Sequence, residues 1–296
     1  MKQATREVKL EAVAKTRQFV AQSFVNAFKS LLETNTLISE ILLRDQWLNQ
    51  LRRNHLIYPE GWYLPPPYGI GILFGTEINY QRMNYQSLRP ENSWPKDSIF
   101  LDKNRGIIYV FFSPVDKLTN MIGDWGMTIY FGKNPDIIEH LKFCLQLNYQ
   151  VLEHVQVGMT LSELANFSNK LFLKQGLYNQ VTSVTDTTGV NIGHTVPWSY
   201  ENMSPEEIMT FKTKDWQKII TMINRKRKFL NYQEKLQTLP GMAFTIEQRL
   251  TKPSNNNVPM SSFHTIAVIH PDGRKELLTN FEEVFELVGM NYMLIS

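Results

Sequence analysis

Cys144 is the only cysteine in this 296-residue chain. That excludes an internal disulfide and a cysteine-rich zinc site, so any bound metal must be held by oxygen and nitrogen ligands. Also missing is any run of about eighteen apolar residues, the length that a membrane-crossing helix requires. The opening MKQATREVKLEAV is a charged helical pattern and lacks the apolar block of a secretory leader. A soluble, cytoplasmic protein with no membrane partner is therefore expected. Charge of one sign is scarce too: 31 basic residues face 28 acidic ones, and Arg225-Lys226-Arg227-Lys228 is the one concentrated basic run. Nucleic-acid binding needs a broader basic face, so no such partner is expected. The basic run reads as the solvated side of a helix.

What is present is an ordinary globular composition, 43% hydrophobic and 20% charged, sufficient for a sizeable core. Val20, Phe24, Ala27, Phe28 and Leu31 recur at helical spacing, and Leu37, Ile41, Leu48 and Leu51 do so again. GWYLPPPYGIGILFG is too rich in Pro and Gly for helix, and residues 99–112 and 127–131 read as strands. Asn134-Pro135-Asp136 starts a third helix that runs to about Val155. Thr160 and Glu163 form a capping-box pattern for a fourth, which stops near Gly176, and strands follow from about Gln180. The order helix, helix, strands thus occurs twice, which suggests an internal duplication around a ligand-binding cleft. Ser204-Pro205-Glu206-Glu207 opens a further helical stretch with Trp216, Ile220, Ile223 and Leu230, and the chain ends in strands. No linker divides it, so we expect one domain over 1–296 with a helical insertion at about 199–238.

Five phrases in order resemble a known family. GMTLSEL at 158–164 resembles its helix-turn phrase, and LPGMAFTIE at 239–247 its "P-G-M-x-F-T-I-E". FHTIAV at 263–268 resembles its last strand "E-H-T-I-V-V", DWGMT at 124–128 its "D-x-T-R-T", and residues 189–197 its glycine-histidine stretch. The chain is thereby identified as a divergent relative of the methionine aminopeptidases and Xaa-Pro aminopeptidases, the creatinase-like group. The resemblance implies an α+β pita-bread fold with a pseudo-twofold α-α-β repeat and a peptide-like or small amide substrate. It also implies two divalent metals, such as Zn, Mn, Fe or Co, held by two Asp, one His and two Glu around an activated water. A homodimer is compatible with it.

Carried over residue by residue, the resemblance makes Asp124 the second Asp ligand and Glu247 a metal ligand and catalytic residue. The first Asp falls at Ser113, with Asp116 the only nearby carboxylate that could shift in. The histidine position falls on Val190 in one register and on His194 in the other; in either, His194 is a ligand or substrate contact. The final Glu falls on Phe263 or His264. Residues of one strand alternate between its faces, so only one of these two enters the cleft. The set Phe263, Thr265 and Ala267 is smaller and more polar than His264, Ile266 and Val268, which favours Phe263 inward and leaves His264 a doubtful ligand. Tyr85 or Arg89 takes the wall where the family has a further histidine. With ligands lost, three functions stand open: a metal-dependent hydrolase, an inactive peptide-binding pseudoenzyme, and a mononuclear metal enzyme with other chemistry.

Overall fold

The computed structural model describes residues 4–294 except 182, 184, 187 and 256. Helix α1 (Arg6–Leu32) is capped by the Thr5 hydroxyl and buries Val13, Val20, Phe24 and Phe28 along one stripe. Helix α2 (Glu40–Leu51) starts at Ser39, whose hydroxyl accepts the Leu42 N–H. It inserts Trp47 against Phe24 and Trp125, and the indole N–H donates to Ser23 Oγ at 3.0 Å. After an irregular crossing come strands β1 (Ile70–Thr76), β2 (Gly106–Phe112) and β3 (Trp125–Tyr130), an antiparallel meander.

The order then repeats. Helix α3 (Pro135–His154) starts at Asn134, and α4 (Leu161–Lys174) starts at the Thr160–Glu163 capping box, which closes as expected. Strand β4 is short (Tyr178–Asn179), and helices α5 (Pro205–Thr213) and α6 (Trp216–Lys226) precede the second group of strands. These are β5 (Met242–Ile246), β6 (Arg249–Thr251), β7 (Ser261–Ile269) and β8 (Lys275–Leu278); helix α7 (Glu282–Val288) follows. Strand β7 is the hub, pairing antiparallel with β3 and β8 on one edge and with β5 and β6 on the other. One eight-stranded sheet results, with helices packed over it. Among the described residues, no helix is long and apolar enough to cross a membrane.

Two expectations about the inserted stretch need correction. The helix carrying Trp216, Ile220 and Ile223 stops at Lys226, so Leu230 is not part of it. Residues 228–230 instead run extended beside 193–195, with Thr195 N–H donating to Lys228 O at 2.8 Å and Leu230 N–H to Gly193 O at 2.9 Å. Backbone pairing with a neighbouring segment has overridden helical periodicity. The basic run is likewise not one solvated face. Lys226 pairs with Glu201 and Glu207, and Arg227 is buried.

The orientation of β7 also reverses the expected one. Phe263 packs on Phe281 and Phe285 at the start and within α7, and Asn148 of α3 donates to Phe263 O and Thr265 Oγ1. The small residues Thr265 and Ala267 serve close helix packing, while Ile266 and Val268 lie in a second apolar cluster with Val196, Ile219 and Ile223. Both faces of β7 are covered, so its polarity pattern does not mark the cleft.

Phe263→Ala should therefore lower unfolding free energy by about 3–5 kcal/mol, the cost of emptying a buried aromatic site. His264→Ala, at the wall of an existing cavity, should cost less; urea titrations of both variants measure the difference. A pH dependence follows from α3, where His140 lies buried beside Cys144 and burial pushes its imidazole down to about 4. The unfolded chain takes up that proton at about pH 6.5, so folded stability is complete above that pH and is lost as pH falls through about 4. The shift corresponds to roughly 3 kcal/mol. His140→Gln should flatten the acid limb of denaturation midpoints over that interval, and an unchanged limb would contradict the assignment.

Candidate functional site

The sheet register assembles the site. Phe111 pairs with Gly126, and Gly126 with His264. Ile246 pairs with Thr265 and Arg249 with Ser262, and the same register through the two intervening residues sets Glu247 opposite His264. Phe111, Gly126, His264 and Glu247 therefore share one face, and Tyr109, Thr128, Ser262 and Arg249 form the next row on it. Gly126 is needed there: a Cβ would lie 3.1 Å from the Phe111 ring and 3.2 Å from the Tyr109 hydroxyl. The row faces a cavity of about 50 Å³, bounded also by Trp62, Arg89, His194 and Arg227. Such a volume holds a few water molecules or one small functional group.

Two histidine–carboxylate pairs lie here, with both histidines and Glu247 at the cavity wall and Asp124 behind His194. His264 Nδ1 lies 3.2 Å from Glu247 Oε2, and its Nε2 is buried without a partner among the described residues. Burial moves both groups toward their uncharged forms, raising the Glu247 carboxyl and holding the His264 imidazole well below its ordinary value. His194 Nε2 lies 3.5 Å from Asp124 Oδ2, and His194 Nδ1 lies 3.0 Å from Thr195 O. Asp124 Oδ1 accepts the Trp62 indole N–H at 2.8 Å, while Oδ2 has no hydrogen bond among the described residues. Gly193 lets this segment lie against β5, where His194 N–H donates to Thr245 Oγ1 and Thr245 N–H to His194 O. A Cβ at 193 would lie 2.2 Å from Thr245 O.

Asp124, His194, Glu247 and His264 are thus brought together. Val190 is exposed and His194 lines the cavity; Phe263 is turned away and His264 lines it. At the position of the first Asp, Ser113 is buried and already engaged: its hydroxyl accepts Tyr63 N–H and its carbonyl accepts Trp62 N–H, both at 2.9 Å. Asp116 does not replace it, because its carboxylate holds the Leu118 and Thr119 amides and the Thr119 hydroxyl in a local turn. Among the described residues no three His, Cys, Asp or Glu side chains are grouped so as to hold a metal ion. The donors present do not fit the two-metal centre that the resemblance implies.

Arginines occupy the cavity walls instead. Arg227 lies over the Trp62 ring at 4.5 Å, and its Nε is buried without a partner among the described residues. Burial pushes its guanidinium down to about 10, opposed by Glu247 and Asp124, so it is charged at neutral pH. Arg249 lies over Tyr85 at 4.8 Å and donates to Gln86 O; Arg89 lies over Tyr63 at 4.3 Å and donates to Leu64 O. Of the two residues expected at this wall, Arg89 reaches the cavity while Tyr85 stands behind Arg249. Arg227, Arg249 and Trp62 had not been singled out as site residues. Arg249 was discoverable, since it sits two residues beyond Glu247 in an extended segment; Arg227 gave no such signal, lying at a helix end in a basic run.

The description "Metallopeptidase family M24" matches residues 104–270, more than half of the chain. No curated protein matches the chain in sequence. Among solved structures, the X-Pro aminopeptidase of Thermotoga maritima MSB8 is 10% identical with a TM-score of 0.57, over 92% of this chain and 61% of that one. The prolidase of Pyrococcus horikoshii OT3 is 14% identical with a TM-score of 0.59, over 92% and 62%. The methionine aminopeptidase of Rickettsia prowazekii is 14% identical with a TM-score of 0.54, over 94% and 99%. This chain thus spans about three fifths of the X-Pro aminopeptidase and prolidase chains and nearly all of the methionine aminopeptidase. At these identities the likeness establishes the shared pita-bread fold, and the family match over residues 104–270 supplies the membership. The chain is a divergent member of metallopeptidase family M24.

Proposed function

We propose that this chain uses the family cleft to bind a peptide-like or small amide ligand and does not carry out two-metal peptide hydrolysis. The observation that supports this reading is Ser113, the residue on which the family resemblance puts a bridging carboxylate and whose hydroxyl accepts the Tyr63 amide N–H. The carboxylates that remain, Asp124 and Glu247, each face a histidine, and the nearby Arg227 guanidinium opposes the approach of a cation. The ligand class comes from the structural neighbours, which are named as aminopeptidases and a prolidase. The cavity is small enough that it takes one group of such a ligand, with the rest lying outside.

A second reading rests on the His264–Glu247 pair. Glu247 sets the imidazole orientation and leaves Nε2 bare at the cavity, an arrangement able to move a proton without a metal. Metal-independent hydrolysis of a small amide, abolished in His264→Gln, would shift the function to this reading.

Elemental analysis of full-length protein purified without chelator should find far less than one transition metal per chain. Added Mn, Co or Zn should produce no release of N-terminal Met, or of a residue preceding Pro, from test peptides. Stoichiometric metal together with such release, lost in Glu247→Ala, would overturn the proposal.

A further inference from the structure

We infer that Arg227 is a gate, whose side chain closes the cavity toward an outer groove and swings into that groove to admit a ligand. Arg227 and Phe229 line both spaces, the inner cavity of about 50 Å³ and an open groove of about 490 Å³ that also carries Thr221, Asn224, Lys228 and Glu234. These two side chains are therefore the partition between them. The inference adds a route to the binding role proposed above, in which most of the ligand lies outside the cavity.

The two residues differ in how firmly they are held. Phe229 stands on a fixed frame, because Lys228 O accepts Thr195 N–H at 2.8 Å, Leu230 N–H donates to Gly193 O at 2.9 Å, and Lys228 N–H donates to Thr195 Oγ1 at 3.1 Å. Arg227 begins where α6 has ended, and among the described residues its guanidinium makes one hydrogen bond, from Nη2 to Asn224 Oδ1 at 2.8 Å. That acceptor belongs to the groove. Toward the cavity the guanidinium has ring contacts, Trp62 at 4.5 Å and Phe229 at 5.1 Å, while its buried Nε has no partner among the described residues. A buried donor without an acceptor is unfavourable, so the closed position is not a deep minimum. In the groove the same side chain meets water and the half-buried Glu234, whose carboxylate accepts only the Leu236 amide among the described residues. A change of rotamer carries Arg227 from one position to the other and leaves the backbone pairing intact. Small two-position elements of this kind control access to enclosed sites.

Access to the cavity can be read without ligand or metal, so the gate can fail while the binding role stands. Cys144 is buried and burial pushes its thiol up, which makes the parent chain a silent background. His264→Cys places a reporter on the cavity wall, with His194→Cys as the alternative if that variant fails to fold, and N-ethylmaleimide modification of the full chain is followed by mass spectrometry. Thr221→Trp narrows the groove at a position outside the cavity, and Glu234→Gln removes the outer partner. Each should slow modification by about tenfold. Arg227→Ala removes the gate and should speed modification by about tenfold, and in that background Glu234→Gln should have no further effect. Lys218→Trp, an exposed position in the separate groove between α5 and α6, should leave the rate unchanged. Undiminished modification in both Thr221→Trp and Glu234→Gln would overturn the inference. So would slowing by Glu234→Gln that persists after Arg227→Ala, because the carboxylate would then act without the gate.

Discussion

Strand β7 is hydrogen-bonded along both edges, to β3 and β8 on one and to β5 and β6 on the other, and this double pairing sets the rest of the molecule. A one-residue slip would exchange every side chain between the faces of the strand. It would drive Phe263 into the cavity and leave His264 among Phe281 and Phe285. The present register instead satisfies an aromatic cluster with α7 on one face and an apolar cluster with α6 on the other. His264 and Glu247 meet as a consequence of that packing.

The first helix secures the arrangement from the opposite side. Arg17 is fully buried on α1 and donates to the carbonyls of Asp124, His264 and Thr279. Burial pushes its guanidinium down to about 9, with the Asp124 charge opposing the shift, so it is charged at neutral pH. One cation thus ties β3, β7 and the approach to α7 to the N-terminal helix, and holds the backbone of two site residues together. A charged side chain in this place satisfies carbonyls that would otherwise face an apolar helix surface.

The wall of the cavity around Ser113 is built from contacts that support one another. Ser113 uses its hydroxyl to fasten the 61–63 segment, which brings Trp62 to Asp124 and under Arg227. Arg227 arrives because the backbone turns from helix to extended pairing beside 193–195, the same segment that carries His194. Ser113, the 61–63 segment and Arg227 are therefore parts of one wall.

Much of this was legible in the residues themselves. Helix starts at Thr160 and Ser204 follow from local capping chemistry, and the phrase ending in Glu247 pointed to a residue that lines the cavity. Asp124 and His194, reached in the same way, lie beside one another, with His194 at the cavity wall. What sequence alone left open was decided by distance. Alternation along β7 divides its residues into two sets, but only the packing of α3, α7 and α6 determines which set each face receives. Arg227 belongs to the cavity because a remote segment pairs with its backbone, and Ser113 is committed because a loop fifty residues earlier returns to it. Local physical chemistry specified the elements and several of the site residues; the choice of face, the engaged hydroxyl and the buried cations were fixed only when segments far apart in the chain came into contact.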